Sequence, residues 1–86
     1  MKENIEELLL QRKETYGEFH GLATISQKLK SVMKDSANWA KIRDLEKESL
    51  EMIACKIARI LNGDLCNADS WKDIAGYATL IMNTFA

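Results

Sequence analysis

No proline interrupts this chain, and glycine occurs only four times in 86 residues. Tight turns between short strands draw on those two residue types, so a β-rich fold has little to start from. Cysteine is also scarce. Cys55 and Cys66 are too few and too irregularly placed for a disulfide framework, and no histidine or cysteine pair has zinc-ligand spacing. That excludes the small stapled and zinc-held classes and points to a reduced, cytoplasmic protein. Charge of one sign is missing too. Twelve basic and thirteen acidic residues leave a formal charge of -1 with no basic block, which argues against general binding to a nucleic-acid backbone. No uninterrupted apolar run approaches the roughly 20 residues that span a bilayer, and Glu3, Glu6 and Glu7 interrupt the N-terminal apolar residues. The expectation is therefore neither a signal peptide nor a membrane anchor.

What is present is apolar residues at helical spacing. Hydrophobic residues make up 47% of the chain, enough for one core and, at this length, one domain. Helices this short generally leave apolar surface over, which predicts a homo-oligomer. A first helix is expected over about Glu3 to Glu14, with Ile5, Leu8, Leu9 and Arg12 in register and Gly17 at the turn. A second runs from about Phe19 to Met33 on the stripe Leu22, Ile25, Leu29, Val32 and Met33, and the polar stretch Lys34 to Asn38 follows it. The third and longest, about Asp44 to Asn62, is expected to stop at a left-handed Gly63. Its core side is predicted as Leu50, Ile53, Ala54, Ile57, Ile60 and Leu61. Roughly opposite lies a mixed face of Glu48, Glu51, Met52, Cys55, Arg59 and Asn62, suited to a partner or a ligand.

The fourth helix is expected to open at Asp69 or Ser70 as N-cap, with Asp73 as the acid of a capping box, and to reach the end of the chain. Its apolar stripe is Trp71, Ile74, Ala75, Ala78, Ile81, Met82 and Phe85. Gly76 in mid-helix costs about 1 kcal/mol relative to alanine, which suggests a close approach by a helix or a ligand. The expected fold class is thus all-α, a single four-helix domain over residues 1–86.

Two acidic pairs stand on the last two helices: Glu48 and Glu51 at i, i+3, then Asp69 and Asp73 at i, i+4. Each pair shares one helix face. Packed antiparallel, the helices would offer four oxygen-ligand positions of the kind that hold Mg²⁺ on a substrate's phosphates, a setting for hydrolysis of a phosphoanhydride. A plainer reading is equally open, with Asp69 and Asp73 serving the helix start and its dipole. Glu48 and Glu51 would then be first-turn acids or partners of Lys47, Lys56 and Arg59. Lys56 and Arg59 can supply charge to phosphates, or pair with Glu48, Glu51 or Glu3 at the surface. Arg12 and Tyr16 precede Gly17 and can grip a phosphate or cap a base, or simply finish a helix. His20 follows no nucleophile pattern and reads as a surface or packing residue. Cys55 and Cys66 lack any supporting motif for catalysis, and Trp39 and Trp71 read as core or interface anchors.

Three segments together resemble small phage and prophage all-α proteins, related in look to the MazG-like nucleoside triphosphate pyrophosphohydrolases. They are Glu14 to Phe19, then Glu48 to Ala54 with Lys56 to Asp64, and Asp69 to Ala78. In that superfamily an E-x-x-E pair and an E-x-x-D pair on successive helices bind Mg²⁺ and cleave a nucleoside triphosphate to monophosphate and pyrophosphate, in dimers or tetramers. Glu48 and Glu51 match the first pair, and Asp73 matches the last aspartate. Asp69 stands one residue too far away and is an aspartate where glutamate is usual.

The resemblance implies a nucleotide-handling oligomer, in the host cytoplasm if phage-encoded. Glu48 and Glu51 would be catalytic, with Glu48, Glu51, Asp69 and Asp73 holding Mg²⁺. Lys56, Arg59, Arg12 and Tyr16 would contact the nucleotide. Two alternatives stand beside it: a non-catalytic nucleotide-binding or sequestering module, and a plain helical interaction protein.

Overall fold

Local signals start two of the helices. The Asn4 side chain accepts the Glu7 amide at 3.2 Å, satisfying one of the amides a helix N-terminus leaves unpaired. Glu46 accepts the Arg43 amide at 2.9 Å and the Arg43 side chain at 3.1 Å, the reciprocal half of a capping box. In the computed structural model, which describes residues 4–63 and 65–85, these starts give α1 (Ile5–Tyr16) and α3 (Asp44–Asn62). They are joined by α2 (Phe19–Lys34) and α4 (Asp69–Met82), and 3₁₀ turns lie at Trp39–Lys41 and Asn83–Phe85. Among the described residues there is no strand, and the fold is all-α with four helices. Nor, among the described residues, is any helix long and apolar enough to cross a membrane. The expected helix start at Glu3, and Asp64 of the second resembling segment, lie outside the described residues.

The helices fall where their periodicity puts them, but their ends and their buried sides differ from expectation. Gly63 ends α3 with φ -125, not in the left-handed region. Glycine is needed there for room, because a Cβ would strike the Thr15 carbonyl and the Tyr16 backbone. α4 is not capped by Asp69 or Ser70. Asn67 accepts the Asp69 amide at 2.8 Å, Asp69 becomes the first helical residue, and Ser70 is buried. The helix stops at Met82 and gives way to the 3₁₀ turn.

α3 is the central element, with α2 and α4 packed along it and α1 held more lightly. Ser49 donates to the Tyr77 carbonyl at 3.0 Å on one flank, and Cys55 meets Ser26 of α2 at 3.6 Å on the other. With neighbours on both flanks, Ala54 and Ala58 are the buried apolar residues among those described. Leu50 and Leu61, expected in the core, are 42% and 64% exposed because neither flank covers them. Trp71, Val32, Met82 and Phe85 of the predicted stripes are exposed as well.

Candidate functional site

The most elaborated region is the junction where the end of α1 and the start of α2 meet the end of α3. Gly17 turns the chain with φ +78, and its amide closes α1 on the Lys13 carbonyl at 2.8 Å. L-residues rarely adopt that conformation. The turn is hydrogen-bonded from α3 by one side chain at two points. Asn62 Nδ2 donates to the Tyr16 and Glu18 carbonyls, each at 2.8 Å, spanning the glycine between them. A Cβ on Gly17 would collide with the Asn62 backbone and one on Gly21 with the Asn62 side chain, so the two glycines leave the room that Asn62 fills.

This joint brings Arg59 of α3 against Tyr16 of α1, the guanidinium carbon 4.6 Å from the ring centroid, within cation–π range. Beside them opens a cavity of about 430 Å³ lined by Leu9, Arg12, Lys13, Tyr16, Gly17, Glu18, Phe19, Leu22 and Arg59. Three cations and one carboxylate line it, so its lining is net positive, and Leu9, Phe19 and Leu22 give it an apolar wall. Lys13 pairs with Glu18 at 2.8 Å across the turn. The hydrogen bond to that carboxylate, with its charge, holds the Lys13 ammonium above its ordinary range. A second cavity of about 230 Å³ adjoins, sharing Phe19, Leu22 and Arg59 and reaching Ser26 and Cys55. At Cys55, burial pushes the thiol pKa up. The Ser26 and Lys30 hydrogen bonds and the nearby Lys30 and Arg59 charges outweigh it, and the net shift is down.

The chain matches, over residues 1–84, a family described as a domain of unknown function, DUF6378. It belongs to that family. No curated protein and no solved structure matches it.

In this DUF6378 chain, the residues singled out from the sequence separate into two sets. Arg12, Tyr16 and Arg59 share the cavity at the α1–α2–α3 junction. Lys56 does not join them: it is buried against α4, its ammonium 3.0 Å from Asp73. The carboxylates are dispersed along the α3–α4 seam. Glu48 lines a small cavity with Leu45, Ser49, Tyr77, Leu80 and Ile81, and Asp73 lines the next groove with Lys72, Gly76, Tyr77 and Leu80. With Ser49 level with Tyr77, Asp69 lies about nine residues along the seam from Glu48, or roughly 13 Å at the rise of an α-helix. Glu51 follows Ser49 by two residues, so at about 100° per residue it points some 160° away from the α4 flank.

Among the described residues, no three histidine, cysteine, aspartate or glutamate side chains gather as a metal would require. Within a single copy, then, Glu48, Glu51, Asp69 and Asp73 do not fit a shared Mg²⁺, and Asp73 already has a cation in Lys56. Gly76, where a close approach was expected, has nothing within 4 Å of a Cβ.

Two contributors to this region were not singled out from the sequence in these roles. Asn62 stands in the sequence at a helix end and on the mixed face with no role at the turn, although Asn-Gly at a helix end opposite a Gly-x-x-x-Gly pattern is a signal for backbone contact. The apolar wall of Leu9, Phe19 and Leu22 follows from no local motif, since it forms only when α1 and α2 fold back on Arg59.

Proposed function

We propose that this protein binds a nucleotide in the cavity at the junction of α1, α2 and α3, acting as an assembly of identical copies. One observation carries the reading: Arg12, Tyr16 and Arg59, each a candidate for nucleotide contact on sequence grounds, line one cavity. A cavity of about 430 Å³ lies within the roughly 300–1,000 Å³ typical of small-molecule sites. The Tyr16 ring and the Arg59 guanidinium offer flat surfaces for a base. Arg12 and Arg59 offer planar donors to phosphate oxygens, and Leu9, Phe19 and Leu22 shelter the apolar faces. The resemblance of its sequence segments to the MazG-like enzymes favours nucleotide as the ligand class.

The catalytic form of the proposal is Mg²⁺-dependent hydrolysis of a nucleoside triphosphate to monophosphate and pyrophosphate, with Glu48, Glu51, Asp69 and Asp73 as the metal-binding carboxylates. It requires another copy to gather those groups, together with release of Asp73 from Lys56. The binding-only form is favoured by the 3.0 Å Lys56–Asp73 ion pair, which satisfies that carboxylate with no metal.

Calorimetric titration with nucleoside mono-, di- and triphosphates, with and without Mg²⁺, tests the proposal. Saturable binding is expected, weakened about tenfold or more in Arg59→Gln, a change on the order of 1.4 kcal/mol. Pyrophosphate release in the same samples separates hydrolysis from binding. Absence of binding to every nucleotide would leave only a helical interaction protein.

A further inference from the structure

One flank of α4 is wholly apolar and uncovered. Ser70, Ile74, Tyr77 and Ile81 turn toward α3, while Trp71, Ala75, Ala78 and Met82 form an exposed row with alternating spacings of four and three residues. Phe85 continues it. That is the spacing of a helix seam that packs against another helix. Trp71, Met82 and Phe85 are 60%, 71% and 67% exposed. On the α3 side of this face, Leu50 and Ile53 share a surface cavity with Ala78 and Ile81, with Glu46 and Ser49 also in its lining.

The molecule as a whole is short of buried surface. It exposes 6567 Å², where a compact monomer of 9.8 kDa exposes about 5,200 Å². Its radius of gyration is 15.0 Å, against about 12 Å for a compact domain of this length. The excess of roughly 1,400 Å² per chain exceeds the about 800 Å² that each partner contributes to a standard stable interface.

We propose that the exposed flank of α3 and α4 is the interface of a homodimer, in which two α3–α4 hairpins pack about a two-fold axis as a four-helix bundle. The row is complementary to itself when reversed. An axis near Ala78 sets Trp71 against Phe85 of the partner subunit and Ala75 against Met82 of the partner subunit, large beside large at the ends and small beside large within. The two alanines at 78 allow the helices to approach closely at the centre. A formal charge of only -1 per chain gives little repulsion between copies. A second layer of helices also supplies the core that Ala54 and Ala58 alone do not provide. The proposal rests on the self-association in the functional reading, not on the nucleotide, and it says which surface associates.

Sedimentation equilibrium without nucleotide tests it. The wild-type protein is expected at twice the 9.8 kDa chain mass. Ala78→Glu is expected to weaken association at least a hundredfold, whereas Leu80→Glu, an equally exposed position on the opposite flank of α4, leaves the dimer intact. Should Ala78→Glu fail to fold, Ala78→Cys in a Cys55→Ser, Cys66→Ser background decides: mild oxidation joins two copies at position 78 and not at a Leu80→Cys control. A single-chain mass for the wild type would overturn self-association itself. A stable oligomer indifferent to Ala78→Glu, or one cross-linked through position 80 and not 78, would overturn the interface while leaving self-association standing.

Discussion

Replacing Asn62 with alanine removes a side chain that hydrogen-bonds the α1–α2 turn to α3 at two points. Both lost hydrogen bonds are 2.8 Å long and accepted by backbone carbonyls. A net hydrogen bond contributes about 0.5–1.5 kcal/mol, toward the upper end where the acceptor is left partly buried. The Tyr16 carbonyl is the more sheltered and the Glu18 carbonyl the more exposed, so the sum is about 2 kcal/mol. For a domain of this size that lowers Tm by roughly 10 °C. Asn62→Asp should cost more, because it replaces the donor with a carboxylate facing two carbonyl oxygens. Urea and thermal unfolding followed by circular dichroism, at one fixed protein concentration because association also shifts Tm, give the comparison. An Asn62→Ala protein within about 0.5 kcal/mol of the parent, the range of ordinary surface substitutions, would refute the idea that this joint holds the cavity together.

Three further outcomes follow from other contacts. Asp73→Asn leaves the Lys56 charge buried without its counter-ion and should destabilise by about 1–2 kcal/mol, discounted because Asp73 is half exposed; Lys56→Met should cost less in the same unfolding assay. Gly76→Ala should stabilise by up to about 1 kcal/mol, since a Cβ there meets open space, and a destabilised variant would reveal a body docked on that flank. The Cys55 thiol, held below its ordinary range, ionises at lower pH than a free cysteine. In a Cys66→Ser background its alkylation rate should therefore rise at lower pH than that of a model thiol, and Ser26→Ala should move the profile back up.

The all-α class and the four helices were legible because apolar residues recur at helical spacing and little else breaks the chain. α3 runs over Asp44–Asn62, the span its periodicity and the following glycine define. Burial was less legible. The stripe containing Leu50, Ile57 and Leu61 is a proper amphipathic face, yet periodicity says only that a face wants cover, not that the same chain supplies it. Helix starts were misread for a related reason: Asn67, two residues upstream, reaches the Asp69 amide first and frees Ser70 to be buried. At the candidate site, Arg12, Tyr16 and Arg59 could be named individually, but their meeting depends on the Gly17 turn and on Asn62 across 46 residues of sequence. The carboxylates illustrate the converse. Glu48 and Glu51 share a helix face in sequence, but with Ser49 already turned to α4, the face that Glu51 occupies is directed elsewhere.

The claim on which the functional account stands is that a nucleotide occupies the cavity beside Tyr16 and Arg59, at the junction of α1, α2 and α3. Titration of ¹⁵N-labelled protein with a nucleotide, followed by two-dimensional NMR, tests it most directly. The account predicts saturable shifts of the Gly17 and Gly21 amides and of the Arg12 and Arg59 side-chain Nε–H signals. Shifts confined to Asp73, Gly76 and their neighbours, or none that saturate, would contradict it.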